Sequence, residues 1–189
     1  GAEVVIRKAT FKIWRTHPDG DGTFQTFTTD VSEGMVVLDV VHKIQAEEAP
    51  DLSVRWNCKA GKCGSCSAEI NGNPKLMCMT RLDELNLWEP VTVEPMRAFP
   101  PIKDLVTDVS WNFRVKKGIA KFAPRAADAP DGTWRMAQRD VDRVQEFRKC
   151  IECFLCQNVC HVLRDHQMFD DFAGPRFMVY SAALEMNPI

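Results

Sequence analysis

Trp56-Asn57-Cys58-Lys59-Ala60-Gly61-Lys62-Cys63-Gly64-Ser65-Cys66, with a further cysteine at Cys78, is the stretch that decides the fold. Its spacing, C-x4-C-x2-C…C, is the ligand pattern of a plant-type [2Fe–2S] cluster. A cluster gripped by four thiolates is anionic, so it needs N–H donors and cations close by. Gly61 and Gly64 let the loop fold around the sulfurs without Cβ clashes. Lys59, Lys62 and Arg55 bring positive charge, although the lysines also read as ordinary solvated loop charges. Met77 and Met79 flank Cys78 and are expected to shield it from water. The competing reading is a structural zinc site, but zinc usually gathers two short cysteine pairs. Here three ligands share one Gly-rich loop and the fourth stands alone.

The flanking sequence supplies a frame of mixed strand and helix. Thr10–Arg15 reads as a strand, Pro18-Asp19-Gly20-Asp21-Gly22 as a turn, and Thr23–Thr29, alternating Phe24, Thr26 and Thr28, as the partner strand. In Met35–Glu48 the period changes: Val37, Val40, Val41 and Ile44 share one helical face, and Pro50 ends the run. Ser67–Ile70 predicts a short strand before an Asn71-Gly72 turn, and Val91, Val93 and Met96 mark a final strand. A strand pair, a helix across it and further strands predict a β-grasp layout over residues 1–101. Ile102–Lys117 reads as a helix, and 118–134, rich in Ala, Pro and Gly, as an irregular connector. Residues 136–189 read as helical. Ala137, Val141, Val144 and Phe147 form one stripe on a helix running into Cys150. A second helix is expected from Cys156 to Gly174-Pro175, and a third over Phe177–Met186.

The second cysteine group, Cys150-Ile151-Glu152-Cys153-Phe154-Leu155-Cys156-Gln157-Asn158-Val159-Cys160, is the C-x2-C-x2-C-x3-C run of bacterial ferredoxins. Cys150, Cys153 and Cys156 grip three corners of a [4Fe–4S] cube. Cys160 either closes that cube or, as in two-cluster ferredoxins, serves another cluster whose remaining ligands lie outside the sequence. The chain stops just past a helix, which favours a missing C-terminal segment. The fold class is therefore α+β, a β-grasp [2Fe–2S] ferredoxin domain followed by an α-helical bacterial-type ferredoxin domain.

Composition narrows the function. The 189 residues carry 24 Lys and Arg against 26 Asp and Glu, and no basic stripe points to a nucleic-acid partner. No apolar run approaches the roughly 20 residues of a membrane span. Neither a secretory leader nor an initiating Met opens the chain, which suggests a processed or partly recorded N-terminus. The eight cysteines fall into two tight groups, not the dispersed pattern of disulfide staples.

With both groups in this order, and with Pro74-Lys75-Leu76-Met77-Cys78 and the helix entering Cys150-Ile151-Glu152-Cys153, the chain resembles the iron–sulfur subunits of succinate dehydrogenase and fumarate reductase. The resemblance implies an electron wire without a catalytic acid, base or nucleophile of its own. A partner flavoprotein with covalent FAD delivers electrons to [2Fe–2S]; [4Fe–4S] and then [3Fe–4S] pass them to quinone at membrane-anchor subunits, with or without haem b. It assigns Cys58, Cys63, Cys66 and Cys78 to [2Fe–2S], Cys150, Cys153 and Cys156 to [4Fe–4S], and Cys160 to [3Fe–4S]. The implied location is peripheral, on the cytoplasmic face of a bacterial inner membrane or the matrix face of the mitochondrial one. His161 stands where the family usually has proline, and Val162-Leu163-Arg164-Asp165-His166 replaces the family's tryptophan near the quinone. His161 is thus a candidate quinone contact or an ordinary surface histidine. Two other readings compete: an iron–sulfur subunit of another flavoenzyme, such as a thiol-linked fumarate reductase or 2-hydroxy-acid oxidase, and a zinc-stabilised interaction module.

Overall fold

Alternation along the first strand sets the core. In the computed structural model, which describes residues 5–189, β1 (Val5–Thr16) turns Ala9, Phe11 and Ile13 to the same buried face. β2 (Gly22–Ser32) pairs with it antiparallel, Phe11 opposite Phe27, and buries Phe27 and Val31. Helix α1 (Val37–Glu47) lays Val37, Leu38, Val40, Val41 and Ile44 over this face. The Asp39 carboxylate accepts the Val36 N–H at 3.0 Å and secures the helix start. β3 (Ser67–Ile70), β4 (Asn73–Leu76) and β5 (Val91–Glu94) complete a five-stranded sheet of order β2-β1-β5-β3-β4. Among the described strands of this sheet, only β1 and β5 run parallel. This is the expected β-grasp layout.

Several elements differ in extent from the sequence reading. The first two strands are longer, because each continues past the point where its apolar alternation fades. β4 lies beyond the Asn71-Gly72 turn and was not expected. It sits at the sheet edge, where the missing N–H of Pro74 costs no ladder bond. The helix expected over 102–117 is a hairpin, β6 (Pro101–Lys103) and β7 (Val106–Thr107), followed by the shorter α2 (Ser110–Gly118).

Asp104 explains the hairpin. Its backbone is left-handed (φ 49°), and its fully buried carboxylate accepts the N–H groups of Thr16 (2.8 Å) and Ser53 (2.9 Å). Burial pushes this carboxyl up, but Lys103 at 2.7 Å and the two backbone donors outweigh it and hold it below the ordinary carboxylate value. Asp104→Ala is expected to cost about 3 kcal/mol in denaturant titrations at neutral pH. Because the folded-state value is depressed, the wild-type advantage is complete above the ordinary carboxylate value. It disappears as pH falls through the folded one.

The second half is broken helix. α3 (Gln138–Gln145) passes into a 3-10 turn (Glu146–Lys149) before Cys150. The single helix expected after Cys156 is two short ones, α4 (Leu155–Val159) and α5 (His161–Arg164), because Cys160 between them is extended (ψ 115°). α6 (Pro175–Glu185) carries proline in its first turn, where the missing N–H has no helical partner to lose. A second apolar cluster joins Phe154 and Phe177 to Met96 and Phe99, so the segment after β5 packs with the helices.

Candidate iron–sulfur centres

Hairpin register assembles the first cysteine group. Ser67 pairs with Leu76 across β3 and β4, so Cys66, just before β3, meets the 3-10 turn Met77–Met79 just after β4. The Met77 N–H reaches the Cys66 carbonyl at 3.0 Å, and the Cys78 N–H points at Cys66 Sγ at 3.4 Å. Cys58 and Cys63 lie in the preceding loop, where Lys59, Gly61 and Gly64 all have left-handed backbones (φ 55°, 64°, 70°). Such a chain turns successive N–H groups inward, and these concavities recur at iron–sulfur sites. The N–H groups of Ala60 and Lys62 each lie 3.3 Å from Cys58 Sγ.

The thiols are tuned apart. Hydrogen bonds from the Cys58 backbone and from Ser65 lower Cys63 to about 6, whereas burial raises Cys66 to about 11. Met77 is buried beside Cys78, as expected of a shield. Met79 is not: it is 59% exposed, and its side chain lies over Gly61.

The second group repeats the device without glycine. Glu152 and Phe154 are left-handed (φ 55° and 61°), and the Glu152 N–H points at Cys150 Sγ at 3.4 Å. A positive φ at a bulky aromatic is a strained outlier that the surroundings must impose. Phe154 is buried, edge-on to Phe99 and Phe113. Glu152 is held by Lys116 of α2 at 2.7 Å and faces Arg176 of α6 at 3.8 Å. Cys160 separates α4 from α5, and His161 opens α5 with an exposed imidazole 6.2 Å from the His166 ring.

All eight cysteines are free thiols. Among the described residues, no three His, Cys, Asp or Glu side chains close on one point as a single ion would need. Clusters of several irons span a wider gap between thiolates. The donor chemistry, the inward N–H groups and the left-handed loops fit such clusters. Spacing located the cysteines, but it could not show the backbone turns at Lys59, Glu152 and Phe154. Their conformations are left-handed without the glycine that would announce them.

The two loops are neighbours. Ser67 Oγ donates to the Cys153 carbonyl at 2.9 Å, and a cavity of about 350 Å³ is lined by Cys63, Gly64 and Ser65 on one side and Glu152, Cys153 and Phe154 on the other.

Residues 10–114 match the family model described as 2Fe-2S iron-sulfur cluster binding domain. The chain is 37% identical over 164 residues to a fumarate reductase iron–sulfur subunit of Mycobacterium tuberculosis, an alignment covering 86% of this chain and 65% of the relative. A mitochondrial succinate dehydrogenase iron–sulfur subunit of Arabidopsis thaliana is 33% identical over 81% of this chain and 51% of its own length. The chain thus spans between half and two thirds of these curated relatives. A chain of the Mycobacterium smegmatis Sdh1 complex in the apo form superposes with TM-score 0.92 at 54% identity, covering all of this chain and 77% of that one.

Proposed function

This chain belongs to the iron–sulfur subunits of the succinate dehydrogenase and fumarate reductase family, and from that premise we propose that it conducts electrons between a succinate- or fumarate-converting flavoprotein and a membrane quinone. The carrying observation is that two cysteine loops, the first with two N–H groups and the second with one turned toward a thiol, lie in direct contact. When bound, the clusters supply reversible one-electron redox chemistry. The chain's own residues hold and tune them, and no acid, base or nucleophile is required.

Under this proposal Cys58, Cys63, Cys66 and Cys78 hold [2Fe–2S], and Cys150, Cys153 and Cys156 hold [4Fe–4S]. Cys160 is assigned to [3Fe–4S]. Residues 1–101 and 136–189 are the two ferredoxin domains, joined by 102–135. The partners are an FAD-containing flavoprotein and membrane-anchor subunits, with haem b as an optional companion. The location is the cytoplasmic face of a bacterial membrane. No helix among the described residues is long and apolar enough to cross a membrane, so the anchor subunits would supply attachment.

Low-temperature EPR of the complex before and after anaerobic succinate tests the reading. The expected result is a reduced [2Fe–2S] signal and loss of an oxidised [3Fe–4S] signal. Clusters that respond only to dithionite would assign the chain to a different flavoenzyme.

Two substitutions test the ends of the wire. Lys59 and Lys62 are proposed to meet the flavoprotein, and reversing both charges is expected to slow succinate-dependent cluster reduction several-fold, more so at low salt. An unchanged rate removes this loop as an electrostatic docking site. His161→Ala is expected to lower quinone reduction while sparing cluster reduction by succinate; a normal quinone rate leaves His161 a surface residue.

A further inference from the structure

Gly64 is enclosed by the other cysteine loop. A Cβ built on it would lie 2.7 Å from the Ile151 carbonyl oxygen and 2.9 Å from both the nitrogen and Cα of Cys153. Ordinary contact begins at 3.4 Å, and all three neighbours are backbone, so no side chain can swing aside. Gly61 makes a useful contrast. Its backbone is equally left-handed (φ 64°), but a Cβ there would meet only the flexible Met79 side chain.

Ser67 supports the same contact from the sheet. Alternation along β3 sends Ala68 and Ile70 into the β-grasp core and turns Ser67 and Glu69 to the opposite face. That face is nonetheless buried, with Ser67 6% exposed, and its hydroxyl donates to the Cys153 carbonyl. Residues on either side of Cys66 therefore touch the chain from Ile151 to Cys153.

We propose that Gly64 and Ser67 form a spacing joint that fixes how closely the two cluster-bearing loops approach. This rests on the electron-carrier reading and goes beyond it. The glycine is needed because any Cβ would push the second loop away, in addition to its part in wrapping the first. Ser67 then holds the second loop in register through Cys153. Both are positioning residues, acting through the backbone of the ligand loops.

The test is EPR of the dithionite-reduced complex, with iron content measured alongside. Two paramagnetic clusters held on touching loops would broaden each other's spectra, and the dipolar interaction falls as the inverse cube of their separation. Gly64→Ala is expected to lose part of that broadening and to alter the second cluster's line shape. Gly61→Ala is expected to alter the first cluster's signal alone. If the two variants behave alike, or if Gly64→Ala leaves the second cluster unchanged, the joint is wrong. Should Gly64→Ala fail to take up its first cluster, Ser67→Ala decides. A changed second-cluster line shape with the first cluster intact supports the joint, and an unchanged one overturns it. Wild type without any cluster signal would overturn the electron-carrier reading itself, a result separate from variants that fail to respond.

Discussion

Cys63→Ala is expected to remove the first cluster's EPR signal entirely and to leave the second cluster's signal and iron in place. The loss follows from chemistry: the substitution deletes one of the four thiolates proposed to hold the cluster, and alanine offers no donor in its place. The sparing follows from packing. Alanine keeps the Cβ, so Gly64 still reaches the Cys153 backbone, and Ser67 keeps its hydrogen bond. The second loop rests on contacts that Cys63 does not touch, namely Phe154 against Phe99 and Phe113, and Glu152 against Lys116. Iron analysis should fall by two per chain. Simultaneous loss of both signals would show that the halves fold and load as one unit, contrary to the proposed division at residues 101 and 136.

Periodicity and spacing are local, and they carried the local features well. The i, i+3, i+4, i+7 stripe of α1, the alternation of β1 and the cysteine spacings each depend on a few consecutive residues. The most consequential failures involve distant partners. Ile102–Lys117 reads as one helix until the carboxylate of Asp104 is seen to bind Thr16 and Ser53, some fifty to ninety residues away. The chain after Cys156 is helical in composition, yet Cys160 interrupts it with an extended residue. Gly64 was legible as a glycine that lets its own loop bend, which its φ of 70° agrees with. Its contact with Cys153 lies 89 residues further along the chain and leaves no trace in spacing. Nor does the short strand read over Ser67–Ile70 reveal that Glu69 is buried and bound by Arg164, 95 residues further along.

Glu69 gives the largest expected effect on stability. It lies on the same face of β3 as Ser67, is fully buried, and binds both halves of the chain. One oxygen accepts from Arg164 of α5 at 2.6 Å; the other accepts the Arg97 N–H at 2.7 Å. Directly opposite on β5 stands Glu94, a like charge that would repel it across the ladder. Two guanidinium groups offset this repulsion: Arg97 pairs with Glu94 at 2.6 Å and also faces Glu69 at 3.8 Å, while Arg164 binds Glu69 at 2.6 Å. Glu69→Ala leaves Arg164, 19% exposed, without its carboxylate and also strips the acceptor from a backbone N–H. Breaking one side of a buried pair in this way costs about 3–5 kcal/mol. Glu69→Gln keeps an acceptor for the Arg97 N–H but loses the charge, and the expected cost is smaller, about 1–3 kcal/mol. Because Arg164 lies only four residues from Cys160, the alanine variant should also loosen the turn between α4 and α5. Faster hydrogen exchange in residues 158–166 would report this. A double-mutant cycle with Arg164→Ala separates the pair from general disruption: direct contact predicts coupling of about 0.5–3 kcal/mol. Strictly additive losses would mean that the Glu69–Arg164 pair itself contributes nothing to joining the two halves.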